Sequence, residues 1–413
     1  MKKRIIIIGG GAAGFFGAIR CAELEPEAEV IILEAGKDVL GKVRISGGGR
    51  CNVTHACFVP KDLSKNYPRG ERELIGPFHQ FCTGDTIEWF EKRGVPTKIE
   101  ADGRMFPSTN KSQTIVDCLQ ESARKAGVKL LLQQRVHQLE PPKEGRGQWH
   151  VHTKEASYPA DAILLATGSS PAMWKVLEQL GHRIVDPVPS LFTFNIKDPR
   201  IEGLPGLSVP KAEVRVQGSK LNAAGPLLIT HWGMSGPAIL RLSAWGAREL
   251  AERKYQFIIR VNWVNRHVEE VREELEALRQ RESKKQPHAN AQFGLPARLW
   301  RSLLTYAGIP EQARWAELSK KAMTKLAEEL AQGSYPVNGK STFKEEFVTA
   351  GGVDLKEVDF KTFQSKLFPG LFFAGEVLNI DAITGGFNFQ AAWTGGWIAG
   401  SSLTVSDGPV DIG

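Results

Sequence analysis

The chain has 413 residues, of which 42% are hydrophobic, 8% are aromatic and 24% are charged. This length predicts two or three domains, and the composition is ordinary for a soluble globular protein. The five cysteines include no CxxC pair, so we expect neither a disulfide framework nor a zinc site.

The N-terminus carries a basic triplet, Lys2–Arg4, followed by only four isoleucines before the first glycines. A signal peptide needs roughly 7–15 apolar residues, and a membrane span needs about 20. No segment reaches the second length. We therefore expect a cytoplasmic protein that does not contact a membrane.

The net charge of +7 is concentrated in one part of the chain. Residues 191–335 hold 22 basic and 15 acidic side chains, an excess of seven, whereas the remaining residues are balanced. Two interpretations stay open. The excess either forms a solvated surface or attracts an anionic partner, such as RNA or a phosphorylated substrate.

The first predicted unit, residues 4–36, is a strand, a glycine-rich turn, a helix and a second strand. Ile5–Ile8 and Val30–Leu33 are continuous apolar runs, and residues 12–24 between them are small and apolar. This βαβ pattern predicts a doubly wound parallel sheet. Amphipathic helices are predicted at residues 83–93 and 112–126, and strands at 129–132 and 161–166.

The pattern changes at about residue 190. Polar and apolar residues alternate within 191–264, which predicts antiparallel strands, and residues 265–335 carry helical apolar stripes. The apolar, glycine-rich pattern resumes at about 336. We therefore predict an α/β, Rossmann-like domain that is split in sequence into residues 1–190 and 336–413, with a β-rich plus helical insertion between them.

Residues Gly9–Gly14 satisfy the G-x-G-x-x-G pattern directly after a predicted strand. Gly9 suits a tight turn, Gly11 lets the backbone approach a pyrophosphate, and Gly14 lets helix and strand pack closely. Glu34 ends the next strand and can accept hydrogen bonds from ribose hydroxyls. In this context the pattern predicts a dinucleotide at the helix N-terminus.

Two further segments favour FAD over a nicotinamide dinucleotide. One apolar strand ends in Ala166–Gly168, typical of the strand beneath the dinucleotide in FAD-dependent enzymes. Another ends in Gly375-Glu376 and is followed by Gly385–Asn388 and a helical segment. The acid suits the ribityl chain, and the helix N-terminus suits the flavin ring. No second G-x-G-x-x-G is present, so NAD(P)H is expected only as an external electron donor.

The segment Gly41–Thr54 (GKVRISGGGRCNVT) resembles the signature of the BaiN/RdsA family, which is also described as aminoacetone-oxidase-like. Further family-like blocks follow in order at residues 102–107, 230–237, 349–353 and 372–390. The resemblance covers nearly the whole chain. One departure is at Asn379–Ala382, where the family often carries Asp-x-Asp-Gly.

The resemblance implies a split FAD domain in which the SGGGRCN segment contacts flavin and pyrophosphate. Three consecutive glycines suit backbone N–H groups that turn toward such a ligand. Together, the patterns and the resemblance predict cofactor contacts at Gly9, Gly11, Ala12, Ala13, Gly14, Glu34, Ala35, Lys42, Ser46, Gly47, Gly48, Gly49, Arg50, Cys51, Asn52, Val136, Ala166, Thr167, Gly168, Gly375, Glu376, Asp381, Gly385, Gly386, Phe387 and Asn388.

Three side chains are candidates for proton chemistry or substrate contact. Cys51 follows Arg50 in the proposed flavin segment and is a candidate proton donor; the alternative is a buried thiol that packs against the cofactor. His231 is a candidate acid or base, or else a structural residue of its turn. Arg104 is expected to organise its loop or contact the substrate.

Several activities remain open, because a fold does not define a substrate. The first is hydride transfer through flavin N5 that reduces an activated C=C or C=N bond in a small molecule. The second, which the family resemblance implies, is dihydrouridine synthesis in ribosomal RNA; the basic stretches at 61–72, 279–285 and 320–325 are compatible with it. Aminoacetone-type amine oxidation and a flavin sensor without turnover are further alternatives. The oligomeric state does not follow from the sequence.

Overall fold

A computed structural model describes residues 2–143, 147–341 and 348–404. The chain divides into two compact units. The first comprises Met1–Val188 and Val348–Gly413, and the second comprises Pro189–Phe347. The first unit therefore combines segments from both ends of the chain.

The secondary structure of the described residues is as follows. The helices are α1 (Ala12–Leu24), α2 (Gly41–Gly49), α3 (Pro60–Ser64), α4 (Ile75–Gln80), α5 (Thr83–Glu91), α6 (Ser112–Lys125), α7 (Pro171–Leu180), α8 (Pro237–Trp245), α9 (Ala247–Glu252), α10 (Val268–Arg281), α11 (Ala297–Tyr306), α12 (Lys320–Gln332) and α13 (Phe387–Ser402). The strands are β1 (Arg4–Ile8), β2 (Glu29–Leu33), β3 (Thr54–His55), β4 (Thr97–Ile99), β5 (Arg104–Pro107), β6 (Lys129–Leu131), β7 (Val136–Glu140), β8 (Trp149–Thr153), β9 (Ser157–Ala160), β10 (Ala162–Leu165), β11 (Ile184–Ser190), β12 (Thr193–Asn195), β13 (Ser208–Val216), β14 (Asn222–Thr230), β15 (Gly233–Ser235), β16 (Gln256–Asn262), β17 (Gly333–Asn338), β18 (Lys340–Ser341), β19 (Val348–Val353), β20 (Val358–Asp359), β21 (Gln364–Ser365) and β22 (Leu371–Phe373).

The first unit is built on a seven-stranded sheet with the order β20-β21-β22-β10-β1-β2-β6. The five strands from β22 to β6 are parallel, and β20 and β21 add an antiparallel edge. The isoleucines of β1 lie at the centre and are almost completely buried, as expected for a doubly wound sheet.

The strand order reverses at β1. The chain passes from β1 through α1 to β2 on one side, and β10 and β22 lie on the other. Ligands of such sheets bind beyond the carboxyl ends of the strands at this switch point. Gly9, Glu34, Ala166 and Ala374 directly follow β1, β2, β10 and β22, so these positions mark the candidate site.

Helices α1 and α13 pack against each other at glycines. A Cβ atom at Gly396 would lie 2.7 Å from the Ala13 carbonyl oxygen, and one at Gly400 would lie 2.5 Å from the Gly17 carbonyl oxygen. Real Cβ atoms do not approach other atoms so closely. Glycine at these positions therefore brings the C-terminal helix against the helix of the dinucleotide fingerprint.

The second unit is an antiparallel sheet of order β17-β16-β13-β14-β15-β12-β18 that shares one hydrophobic core with its helices. Two details differ from the prediction. The β-rich part also contains α8 and α9, and β17 and β18 belong to this sheet, so the return to the first unit comes later than residue 336. In the helical part, α11 and α12 are separate helices, and Gly308, with a left-handed φ of 81°, lies between them.

A buried hydrogen-bond chain links the end of α7 to the edge of the parallel sheet. His182 Nδ1 lies 2.8 Å from Glu357 Oε2, and His182 Nε2 lies 3.1 Å from Ser365 Oγ. Ser365 Oγ also accepts from the backbone N–H groups of Leu367 and Phe368. Its lone pairs are therefore engaged and its hydroxyl is buried, so this Ser-His-Glu chain is structural rather than nucleophilic.

We expect this chain to make the protein less stable in acid. Burial lowers the pKa of His182 in spite of its contact with Glu357. The folded protein then binds fewer protons than the unfolded chain, so the free energy of unfolding falls as the pH drops below about 6.5 toward the lower folded pKa. Chemical denaturation across this range should give a smaller pH slope for His182→Asn than for the wild type; equal slopes would contradict this origin.

No helix within residues 2–143, 147–341 and 348–404 is long and apolar enough to cross a membrane.

Candidate active site

The glycine-rich turn after β1 is fixed by the acid that follows β2. Glu34 Oε2 accepts from the Gly10 N–H at 2.7 Å, and Oε1 accepts from the Gly36 N–H at 2.6 Å. Each carboxylate oxygen has a second lone pair, so Glu34 can still accept from ribose hydroxyls. The neighbouring residue, Ala35, is exposed.

The predicted contact Val136 belongs to a segment that hydrogen-bonds to the backbone of this acid. Gln134, two residues earlier, donates from its N–H to the Glu34 carbonyl oxygen at 2.8 Å. The Val136 side chain itself is buried at the start of β7. The structure thus places the segment at the expected end of the sheet.

The three fingerprint glycines differ in what surrounds them. A Cβ atom at Gly14 would lie 2.0 Å from the Gly9 carbonyl oxygen, and one at Gly9 would lie 2.5 Å from the Ala166 carbonyl oxygen. At Gly11 the nearest atom would be 4.0 Å away, and its φ of −92° suits any residue. The protein's own packing therefore does not require glycine at Gly11, whereas close approach of a pyrophosphate does.

The first turn of α1 contains Ala12 and Ala13 and has no side-chain cap. Its backbone N–H groups and the positive end of the helix dipole suit an anionic ligand. α13 likewise begins after Gly386 without a side-chain cap. Two helix N-termini of the same unit therefore offer backbone donors.

Three predicted segments meet beyond β10 and β22. Lys42 Nζ donates to Glu376, and a Cβ atom at Gly168 would lie 4.0 Å from Glu376 Oε2. A Cβ atom at Gly375 would lie 3.3 Å from the Ala13 side chain. Lys42 and Glu376 form an ion pair. A ligand bound here would therefore meet a neutralised pair rather than an isolated charge.

The predicted glycine segment begins as a helix and then turns. α2 leaves helical geometry at Ser46, and Gly47 and Gly48 adopt left-handed φ values of 58° and 67°. Cβ atoms at Gly48 and Gly49 would meet nothing within 4 Å, so this turn leaves open space beside its backbone. At its end, Asn52 Oδ1 would lie 2.9 Å from a Cβ atom at Gly386, which joins the segment to the start of α13.

Arg50 has partners within the protein, and its contact with the cofactor stays a prediction. Arg50 Nη1 donates to Glu100 at 2.6 Å, and its guanidinium lies 3.9 Å from the Phe106 ring centroid. Arg104 contacts Asp102 and Glu100. Both arginines therefore organise the β4–β5 hairpin, because its acids compensate their charges.

Asp381 and Asn388 also have partners within the protein. Asp381 is fully buried and accepts two hydrogen bonds from the Arg69 guanidinium. Asn388 accepts from the Ala382 N–H at 3.0 Å and donates to the Ala382 carbonyl oxygen. These side chains shape the loop before Gly385, and their contact with the cofactor stays a prediction.

A buried polar network, which the sequence did not reveal, holds the glycine segment against α13. Gln390 Oε1 accepts from Thr54 at 2.6 Å and from Thr86 at 3.0 Å, and Gln390 Nε2 donates to Thr394. Tyr67 donates to the Phe387 carbonyl oxygen at 2.6 Å. Satisfied buried networks fix a single arrangement, so these residues orient the segment and the helix N-terminus together.

His55 is a second residue that the sequence did not single out, although it follows the family-like motif directly. Its ring stacks on Phe387 with centroids 4.5 Å apart, and Nδ1 lies 3.1 Å from the Gly385 carbonyl oxygen. The ring is partly exposed. An ionisable side chain therefore lies between the two predicted flavin segments.

Cys51 is completely buried, and its backbone adopts a left-handed φ of 60°. Burial raises the pKa of its thiol to about 12, although Ser46 opposes the shift. The thiol is therefore neutral at physiological pH and has no route to solvent for exchange of its proton. Its surroundings favour the packing role over proton donation.

We expect Cys51→Ala to bind its cofactor and to keep turnover within about tenfold of the wild type, because the substitution removes only a buried thiol. Turnover and the flavin absorption spectrum check this expectation. A loss of roughly 10²-fold or more with the cofactor still bound would instead support Cys51 as the proton donor.

His231 lies in the second unit, in the turn between β14 and β15. It is exposed, as is its neighbour Trp232, at 58%. The turn itself is held by the backbone bond from Ile196 to Trp232. His231 stays a candidate by prediction, since its own surroundings assign it no partner among the described residues.

Several features of the first unit fit FAD. Among the described residues, Asn52 Oδ1 is buried without a hydrogen-bond partner, which a ligand donor would supply. The open side of Gly11 and of Gly48 and Gly49 leaves room for a ligand against the backbone. Gly11 and Glu34 lie at the switch point of the sheet, and Asn52 lies against the uncapped start of α13.

This combination of a doubly wound sheet and a split dinucleotide site defines the FAD-dependent oxidoreductases. Within that class the comparison with known families is specific. Residues 3–402 match the family described as HI0933-like protein Rossmann domain, and the chain belongs to this family. The predicted fold class and family resemblance are confirmed.

Relatives of known activity match the chain over nearly its full length. A ribosomal RNA dihydrouridine synthase from Haemophilus influenzae is 28% identical over 97% of this chain and 98% of its own. A 3-dehydro-bile acid delta(4,6)-reductase from Clostridium scindens is 28% identical over 96% and 98%. A ribosomal RNA dihydrouridine synthase from Escherichia coli is 29% identical over 97% and 98%.

Solved structures share the fold. A 3-ketosteroid-delta4-(5alpha)-dehydrogenase from Rhodococcus jostii RHA1 matches with a TM-score of 0.52 and 15% identity, over 98% of this chain and 97% of its own. A flavocytochrome c3 fumarate reductase matches with a TM-score of 0.51 and 17% identity, over 98% and 78%.

Proposed function

We propose that this FAD-dependent oxidoreductase reduces a carbon–carbon double bond that is activated by a neighbouring carbonyl group, in a small molecule. The meeting of the glycine segment with the start of α13 carries the proposal, because it gathers backbone donors and one ionisable side chain, His55, at one place. The names of the relatives support it, since both a dihydrouridine synthase and a delta(4,6)-reductase reduce such bonds.

Bound FAD would supply hydride transfer, so the protein need only bind, orient and protonate. Gly11 and the first turn of α1 would hold the pyrophosphate, and Glu34 the ribose. The Lys42–Glu376 pair and Asn52 would hold the part of the cofactor that lies beyond β22. The Gln390 network keeps these groups in place before the ligand binds.

We infer that NAD(P)H reduces the cofactor from outside. The sequence has one G-x-G-x-x-G fingerprint, and that one is assigned to FAD, which leaves the nicotinamide nucleotide to bind transiently. Anaerobic bleaching of the flavin by NADH or NADPH checks this inference; a flavin that neither donor bleaches would contradict it.

The proposal predicts where solvent hydrogen enters the product. In D₂O, with a cyclic enone, we expect deuterium in the saturated ketone at the carbon that receives the proton. Mass spectrometry of the product measures this. Recovery of unreduced enone, or of an alcohol formed at the carbonyl group, would contradict reduction of the double bond.

Ribosomal RNA is a second candidate substrate, favoured by two relatives and by the excess positive charge of residues 191–335. Most of the basic stretch at 279–285 is locally compensated, because Arg279 pairs with Glu276, Arg281 with Glu274, and Lys285 with Glu282. Lys284 is exposed. In the loop at 61–72, Lys65 pairs with Asp62 and Arg69 with Asp381. Lys320 and Lys321 are exposed and remain candidates for phosphate contact.

Salt dependence separates the two substrates. If RNA binds, its affinity should fall steeply with salt, and charge reversal at Lys320 and Lys321 should weaken binding. The slope of log affinity against log salt should then become shallower by about one for each phosphate that the variant no longer neutralises. Filter binding measures both quantities. Absent or salt-independent binding would leave the small-molecule substrate as the remaining candidate.

A further inference from the structure

The geometry points to His55 as the side chain that delivers a proton to the substrate, an inference that rests on the proposed function. His55 is held on both sides. Its ring lies on Phe387, and its Nδ1 faces the Gly385 carbonyl oxygen at 3.1 Å. A carbonyl oxygen only accepts, so Nδ1 must carry a hydrogen.

This hydrogen bond fixes the chemistry of the other ring nitrogen. With Nδ1–H donating to Gly385, Nε2 holds the lone pair of the neutral ring and is the atom that gains and loses a proton. Among the described residues, no side chain or backbone group donates to Nε2. A Cβ atom at Gly103 would lie 2.6 Å from Nε2, so the Gly103 backbone lies close to this ring nitrogen.

The surroundings of His55 also make it a stronger acid when protonated. Burial lowers its pKa, against the effect of the Gly385 carbonyl group. The charged groups that act on it belong to the β4–β5 hairpin, where Asp102 raises the pKa and Arg104 lowers it. From α13 and the turn before it, the ring meets Phe387 and the Gly385 carbonyl group. A lower pKa makes the protonated ring a stronger acid, while a smaller fraction of the ring is protonated at neutral pH.

In the proposed step the carbon–carbon π bond breaks. One carbon receives the hydride that reduced FAD supplies, and the other receives the proton from Nε2. His55 returns to the neutral form and is protonated again by solvent, which its partly exposed ring permits. Buried Cys51 has no such exchange route, which distinguishes the two candidate donors.

Two measurements on the holoprotein test this role. The first is NMR titration with ¹³C-labelled histidine, assigned with His55→Gln. We expect the His55 pKa to lie below about 6.5 and to rise when dithionite reduces the bound FAD, because negative charge then grows nearby. His79, exposed on α4, should not respond. A His55 resonance that ignores reduction would overturn the proposal.

The second measurement separates proton delivery from structure. His55→Gln can still donate to Gly385, so it should retain FAD and be reduced at the wild-type rate. Reoxidation by an enone should slow by roughly 10²–10⁴-fold and lose its acceleration at low pH. His79→Gln should match the wild type. Unchanged reoxidation, or loss of FAD together with both half-reactions, would refute proton delivery.

The two proposals fail in different ways. If no alkene reoxidises the wild-type protein, the proposed function fails, yet the NMR titration still decides whether His55 is coupled to the bound cofactor. If alkenes reoxidise both proteins equally, the proposed function stands and the role of His55 falls.

Discussion

Replacing Gly11 by valine should weaken cofactor retention while leaving the protein folded. A valine Cβ atom would have its nearest protein atom 4.0 Å away, and the extended backbone at this residue accepts a branched side chain. The methyl groups would fill the space assigned to the pyrophosphate. An overpacking cost of about 1–3 kcal/mol corresponds to roughly 5- to 150-fold weaker binding of FAD. Flavin absorbance after purification measures cofactor retention, and circular dichroism measures folding.

Two other glycines supply the controls. Gly14→Ala would bring a Cβ atom within 2.0 Å of the Gly9 carbonyl oxygen, so we expect loss of folding stability as well as of FAD. Gly76→Val, in exposed α4 where a Cβ atom meets nothing within 4 Å, should keep the yellow colour. A Gly11→Val protein that stays fully yellow would contradict the dinucleotide assignment.

Removing the Asp381 charge from the buried Arg69–Asp381 ion pair should cause a large loss in the free energy of unfolding. Asp381 is fully buried and the Arg69 side chain is 12% exposed. Asp381→Asn would remove the negative charge that the guanidinium contacts, and loss of one member of a buried pair costs about 3–5 kcal/mol. The loop that ends at Gly385 should then shift, so FAD affinity should fall as well.

Denaturant unfolding at neutral pH measures this cost. Lys92→Met is a matched control, because its pair with Glu88 is exposed on both sides, at 67% and 60%, and such pairs contribute at most about 1 kcal/mol. If Asp381→Asn and Lys92→Met unfolded at the same denaturant concentration, the Arg69–Asp381 pair would not hold the loop.

The sequence predicts the parts of this site that depend on local signals. Ile5–Ile8, the fingerprint glycines and Glu34 fall within one βαβ unit, where strand, turn and helix each have a characteristic pattern. Helix α1 spans Ala12–Leu24 as predicted. The C-terminal strand and glycines were recognisable for the same reason, since they repeat the pattern of a strand that ends in small residues.

The contacts that orient the site could not be read from the sequence. Thr54 and Gln390 are 336 residues apart, and Arg69 and Asp381 are 312 apart. No periodicity links such positions, so a single sequence does not reveal their pairing. For the same reason, the sequence did not reveal that Arg50 pairs with Glu100 of a neighbouring hairpin.

The sequence pattern ends the insertion at residue 335, whereas the second unit extends to Phe347. The physical reason is related. The segment Gly333–Asn338 is short and partly apolar, so it resembled the return to the parallel sheet. It instead pairs with β16 at the edge of the antiparallel sheet, from Gly333 opposite Val261 to Asn338 opposite Gln256. Pairing between strands that are about 75 residues apart depends on tertiary contacts, and local propensity does not determine it.

Anaerobic stopped-flow reoxidation of the reduced holoprotein tests the central claim most directly. The protein is reduced with NAD(P)H or dithionite and mixed with a cyclic enone, and then separately with ribosomal RNA that lacks dihydrouridine. We predict that the enone restores the oxidised flavin spectrum and yields the saturated ketone. A flavin that stays reduced with the enone, whether or not RNA reoxidises it, would contradict small-molecule reduction of an activated double bond.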